Sequence, residues 1–153
     1  MVTRGMHPLA STAIREIREL HGFFEAWLGG SGLSGDISFR RAEAALAPGF
    51  TMVTPSGQRL SRSEVLGWLR SAHGSRRHPA PFRISIDEPI VLHCEAPLVV
   101  MSYVEVQRGA EISTRRSLAV LREAEDAPCG VLWLALQETW ASPQTGASTS
   151  EPS

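Results

Sequence analysis

Between residues 12 and 28 the apolar side chains Ile14, Ile17, Leu20, Phe24, Trp27 and Leu28 recur every three or four positions. That spacing places them on one face of an α-helix. Ser11 or Thr12 is suited to cap its start, and Gly29, Gly30 and Gly32 are suited to end it. A shorter helix is predicted from about Ile37 to Leu46, with Asp36 as its cap and Pro48-Gly49 as its stop. Residues 50–54 and 58–60 flank Pro55-Ser56-Gly57 and read as a small hairpin. Ser61 and Glu64 then form a capping box, with Leu60 and Val65 placed as a hydrophobic staple. They open a third helix, which buries Val65, Leu66, Trp68 and Leu69 and stops at Gly74 after His73.

From Phe82 onward the apolar period changes to two, the period of a strand. Four long strands are predicted, over about 82–94, 98–107, 112–122 and 131–141. Two-residue turns at Glu95-Ala96 and Gly109-Ala110 would set their registers, and register sets facing. Under that pairing Met101 lies opposite Leu118 and Tyr103 opposite Arg116. One face then collects Ile84, Ile86, Ile90, Leu92, Val99, Met101, Leu118 and Val120, with Leu132, Leu134 and Leu136 from the last strand. The helices must cover this aliphatic face. The expected class is therefore α+β: about three N-terminal helices on a strongly curved, mixed or antiparallel sheet.

The opposite face carries Val100, Val104, Val106, Ala119, Leu121 and Trp133. That is too apolar for a solvated surface and predicts a homodimer through the outer sheet face. His93 falls on this side and is expected near such a contact.

Composition narrows the picture. The chain has 153 residues, 42% hydrophobic and 20% charged, enough for one domain with its own core. A formal net charge of -1 offers no basic field, so nucleic acid and anionic membranes are not expected partners. No apolar run reaches membrane-spanning length, and residues 1–10 lack the apolar core of a signal peptide. A cytoplasmic protein is expected. Cys94 and Cys129 lack metal-site spacing and read as free thiols; no metal or cofactor is implied. Residues 1–10 are expected to be a loose leader, 11–142 the domain, and 143–153 a disordered tail.

Candidate chemistry sits at the polar end of the inner face. Glu138 falls diagonal to Arg116 if Leu136 lies opposite it, and Tyr103 is adjacent. Glu138 beside Trp140 and Leu136 is the candidate general base, or else the partner of Arg116 in a structural ion pair. Tyr103 would polarise a ligand carbonyl, or else bond to Glu88 or Arg116 in the core. Arg116 would bind a ligand oxygen. Met52, Trp68, Met101, Leu118, Leu136 and Trp140 complete the expected apolar wall of a pocket. The basic loop from His73 to His78, with Arg76 and Arg77, reads as a solvated connection.

The order of elements resembles the nuclear-transport-factor-2-like superfamily, closest to SnoaL-like and related small bacterial members. The segments carrying the resemblance are Phe50–Ser61, Arg116–Leu121 and Trp133–Trp140, within roughly residues 11–142. It implies a cone-like fold with a pocket between sheet and helices, often a homodimer. It spans cyclases, isomerases, dehydratases, epoxide hydrolases and plain binding or assembly domains, so it implies no single activity.

Overall fold

The computed structural model describes residues 6–32 and 34–141. The predicted tail and the first half of the predicted leader lie outside them; residues 8–10 of that leader belong to the first helix. Three helices, α1 (Pro8–Gly29), α2 (Gly35–Ala45) and α3 (Arg62–Ser71), pack on a six-stranded sheet. Its strands are β1 (Leu46–Val53), β2 (Arg59–Ser61), β3 (Arg83–Glu95), β4 (Leu98–Arg108), β5 (Ile112–Glu123) and β6 (Val131–Trp140). The spatial order is β2-β1-β6-β5-β4-β3, antiparallel except for the parallel pair β1–β6. This is the expected α+β architecture, a mixed sheet wrapped into a cone by its helices.

The helix pattern transfers directly into packing. Ile17, Leu20, Trp27 and Leu28 are buried from the stripe on α1, each contributing about 1.5–3 kcal/mol by leaving water. The Trp27 indole N–H donates to the Leu69 carbonyl (2.8 Å), tying α1 to α3. α1 starts earlier than expected, at Pro8, with His7 Nδ1 accepting from the Leu9 amide as its cap. It ends at Gly30, whose φ of 71° suits glycine and whose missing side chain makes room for the Arg77 guanidinium. Ser34, not Asp36, holds the N-cap position of α2, without a side-chain capping bond, and the helix ends at Ala45; Pro48-Gly49 lies inside β1 instead of stopping the helix. The capping box on α3 is present as read: Ser61 Oγ accepts from the Glu64 amide (3.2 Å), and Glu64 accepts from the Ser61 amide (2.8 Å).

The sheet departs from the expected registers on three strands: by one residue at the β4–β5 loop, by two successive bulges on β3, and on β6, where Leu136 lies opposite Ala119 and not Arg116. The β4–β5 loop holds three residues, Gly109 to Glu111, because Arg108 pairs with Ile112. Tyr103 therefore lies opposite Ser117, and Met101 opposite Ala119. Every side chain of β5 changes face as a result. β3 follows the expected pairing only as far as Asp87. Bulges around Glu88, at φ 51°, and around Leu92 each insert a residue, so Val91 and Cys94 turn inward while Ile90 and Leu92 stay exposed. β6 bulges near Leu134, which places Trp133 and Val131 on the inner face and buries them completely or nearly so. These bulges add local bend and twist to the sheet that the helices cover.

Candidate functional site

The inner face of the sheet and the helices enclose a cavity of about 290 Å³. α1 contributes Leu20, His21, Phe24 and Leu28 to its wall, and α3 contributes Val65, Trp68 and Leu69. Met52, Thr54, Pro55 and Leu60 of the first hairpin form its rim, where Trp68 stands 57% exposed. The wall is mostly apolar. Five polar side chains converge at one end of it: His21, Glu105, Gln107, Arg115 and Glu138.

Each is positioned by an element the sequence defines. His21 follows Ile17 by one helical turn on the buried stripe of α1, and its Nδ1–H donates to the Ile17 carbonyl (2.8 Å). That leaves Nε2 facing the Glu105 carboxylate at 3.2 Å, with both side chains almost fully buried. Burial opposes the charge on His21, but Glu105 and the Ile17 carbonyl outweigh it and raise its pKa. Burial likewise disfavours ionised Glu105. His21, the Gln107 amide and Arg115 overcome this and hold the carboxyl down at about 2. Gln107 donates to Glu105 through Nε2 at 2.7 Å.

Glu138 lies opposite Ser117 on the neighbouring strand and accepts from Arg115 Nη1 at 3.2 Å. It is 5% exposed. Burial and the nearby charge of Glu105 push its pKa up, and Arg115 only partly offsets them. The Arg115 guanidinium also lies 4.9 Å over the Trp140 ring. Tyr103 is fully buried beneath this end of the cavity. Burial, with Glu105 and Glu138 nearby, raises its hydroxyl pKa, and the facing Ser117 pulls slightly the other way without reaching hydrogen-bond geometry.

Of the residues the sequence singled out, Glu138, Met52, Trp68 and Leu136 line the cavity. Tyr103 and Met101 are inward but lie behind the wall, fully buried. Arg116 and Leu118 are not in the site: the one-residue shift puts them on the outer face, where Leu118 is 41% exposed. Arg115 takes the place assigned to Arg116. Trp140 is exposed and reaches the site only through its contact with Arg115. His21, Gln107 and Arg115 were missed. The signal for His21 was present, since it occupies a stripe position between Ile17 and Phe24.

A second buried carboxylate lies on α1. Glu16 is fully buried, bonded to Arg41 (2.7 Å) and to the Trp133 indole N–H (2.8 Å). It is outside the cavity wall and fastens α1 to α2 and β6.

No protein-family model matches the chain, and no curated protein does. Solved structures do. An NTF2-like protein of unknown function from Pseudomonas aeruginosa is 30% identical, with a TM-score of 0.77, over 86% of this chain and 99% of that one. The chain belongs to the NTF2-like family. Two further solved structures are more distant. One is an NTF2-like protein of unknown function in nutrient uptake from Rhodospirillum rubrum, 17% identical, TM-score 0.63, covering 84% of this chain and 98% of that one. The other is the CaMKII hub of S. rosetta, 13% identical, TM-score 0.64, covering 90% and 100%. At these identities the likeness shows the fold alone.

Proposed function

We propose that this NTF2-like protein binds a small, largely apolar molecule with one oxygen-bearing end, and that Glu138 takes a proton from it. The supporting observation is the cavity of about 290 Å³, whose wall is mostly aliphatic and aromatic and whose charged groups gather at one end, with Thr54 and Gln58 on the hairpin side. The volume suits a ligand of one or two rings. The ligand oxygen would face Arg115. Glu138 is nearly dry and its pKa is raised, which makes it a stronger base than a solvated carboxylate. With a carbonyl ligand, Glu138 would accept a proton from the adjacent carbon. The C–H electron pair would become the enolate double bond, and charge would develop on the oxygen beside Arg115. The resemblance to cyclases and isomerases of the superfamily implies chemistry of this kind.

The test uses 5-phenylpentan-2-one in deuterated water. Binding is read from the fluorescence of Trp68 and Trp133, which line the cavity, and exchange of the protons next to the carbonyl from NMR. Glu138→Gln keeps the shape and removes the base. Exchange should fall by roughly a hundredfold or more while binding survives. Binding without protein-dependent exchange in the wild type would leave a ligand-binding protein and remove the catalytic part of the reading. No binding at all would remove both.

The outer sheet face supports a second role, self-association. Ile90, Leu92, Leu98 and Leu118 are exposed there, beside half-buried Val100 and Val120. We propose that a second copy covers them, and one fold neighbour is named as a hub. The sequence-based interface needs revision in this reading. Ala119, Leu121 and Trp133 are buried in the protein's own core and are not available to a partner; Val104 and Val106 keep their outward parity but are already buried, which leaves half-buried Val100.

A further inference from the structure

Among the described residues, four buried side-chain atoms have no hydrogen-bond partner: the Tyr103 hydroxyl, Ser117 Oγ, Gln107 Oε1 and Arg115 Nε. Such atoms are uncommon, because each has given up a hydrogen bond to water without replacing it. Tyr103 and Ser117 face each other directly across β4 and β5, and neither lines the cavity. Both hydroxyls rotate, so a small turn lets one satisfy the other.

The remaining two atoms have no such escape. Gln107 Nε2 is committed to Glu105 at 2.7 Å. Reversing the amide would set its oxygen against a carboxylate that the His21 pair keeps ionised. Oε1 is thereby held as an open acceptor. Arg115 is committed through Nη1 to Glu138, and its plane lies over Trp140. Its Nε–H can only donate. Both residues line the cavity. Because Glu105 pairs with Arg115, Gln107 and Arg115 are diagonal neighbours on the inner face, and their two unmet atoms do not reach each other. One unmet acceptor and one unmet donor thus lie on neighbouring strands at the polar end.

We infer that the pocket selects ligands whose polar end carries a carbonyl-type oxygen next to an O–H or N–H, as in a hydroxy-carbonyl compound or a primary carboxamide. The oxygen accepts from Arg115 Nε, and the O–H or N–H donates to Gln107 Oε1. This rests on the pocket reading above and narrows it. A simple ketone leaves Gln107 unmet. A carboxylate offers no donor and brings a third negative charge beside Glu105 and Glu138. His21 and Glu105 act here as positioning residues, since they fix which way the Gln107 amide points.

The test compares 4-phenylbutanamide, its N,N-dimethyl derivative and 5-phenylpentan-2-one on the full chain by tryptophan fluorescence. Wild type should bind the primary amide about fivefold to fiftyfold more tightly than the other two, the scale of one buried hydrogen bond made or left unmade. Gln107→Met should erase that preference for the primary amide. Equal affinities in wild type would mean that a trapped water bridges the two atoms; this overturns the inference and leaves the pocket reading standing. A preference that persists in Gln107→Met also overturns it. If none of the three compounds binds, the pocket reading fails and takes the inference with it. Circular dichroism shows whether the variant folds; if it does not, the wild-type comparison of the primary and dimethyl amides decides alone.

Discussion

His21 and Glu105 illustrate how a single residue pair couples the helix layer to the sheet. Both are buried, so removing one partner strands the other's charge. His21 titrates above its ordinary 6.5 in the fold. The pair is therefore fully stabilising below about 6.5 and weakens as pH rises through the folded value. Glu105 is lowered from 4.5 to about 2, so its share is present above 4.5 and lost as pH falls toward 2. Glu138 works in the opposite sense: its raised pKa favours the fold at low pH and disfavours it as the group ionises. Urea midpoints should decline from pH 6 to pH 9 in wild type. His21→Asn should be less stable by about 3 kcal/mol near pH 6 and should lose most of that decline; an unchanged slope would show that the pair does not control it. Glu16 makes a parallel case. Arg41→Ala should cost about 3 kcal/mol, measured by chemical denaturation, because fully buried Glu16 then keeps only the Trp133 indole N–H as a side-chain donor.

At the scale of elements, the helices and the sheet were legible to different degrees. The stripe of α1 and the capping box of α3 are local patterns, and local patterns survive folding when packing agrees with them. Strand positions were legible as well, but their faces were not. A two-residue and a three-residue loop both fit the sequence around Gly109-Ala110-Glu111, and that single residue exchanges Arg116 for Arg115 in the site. The shift has a direct check. Ser102 and Leu118 are opposite each other and face outward, so Ser102→Cys with Leu118→Cys should form a disulfide on mild oxidation, seen by peptide mapping. In the two-residue register these positions lie on opposite faces and could not bridge.

For the whole molecule, the exposed apolar residues of the outer face bear on assembly. No helix among the described residues is long and apolar enough to cross a membrane. A second copy seated on the sheet would bury Leu118, Leu92 and Ile90 and should sediment as a dimer at micromolar concentration. Leu118→Arg should shift that equilibrium toward monomer with little change in thermal stability, because Leu118 is 41% exposed and outside the core. A wild-type monomer under those conditions would remove the self-association proposal. Trp133→Glu would be no test of it, since Trp133 is 1% exposed in the protein's own core and its replacement would unfold the chain.

The sequence by itself determined the helix stripes, the cap at Ser61, the strand positions and the presence of an inward carboxylate at Glu138. These depend on periodicity and on neighbours within a few residues. Only the tertiary structure decided which side chains meet that carboxylate. His21, Gln107 and Arg115 arrive from α1, β4 and β5, and their meeting depends on loop length and on bulges in β3 and β6. A bulge costs one residue and little energy, yet it reverses the facing of every side chain beyond it. Its position is set by how the sheet must bend to close over the helices, a constraint that no local stretch of sequence carries.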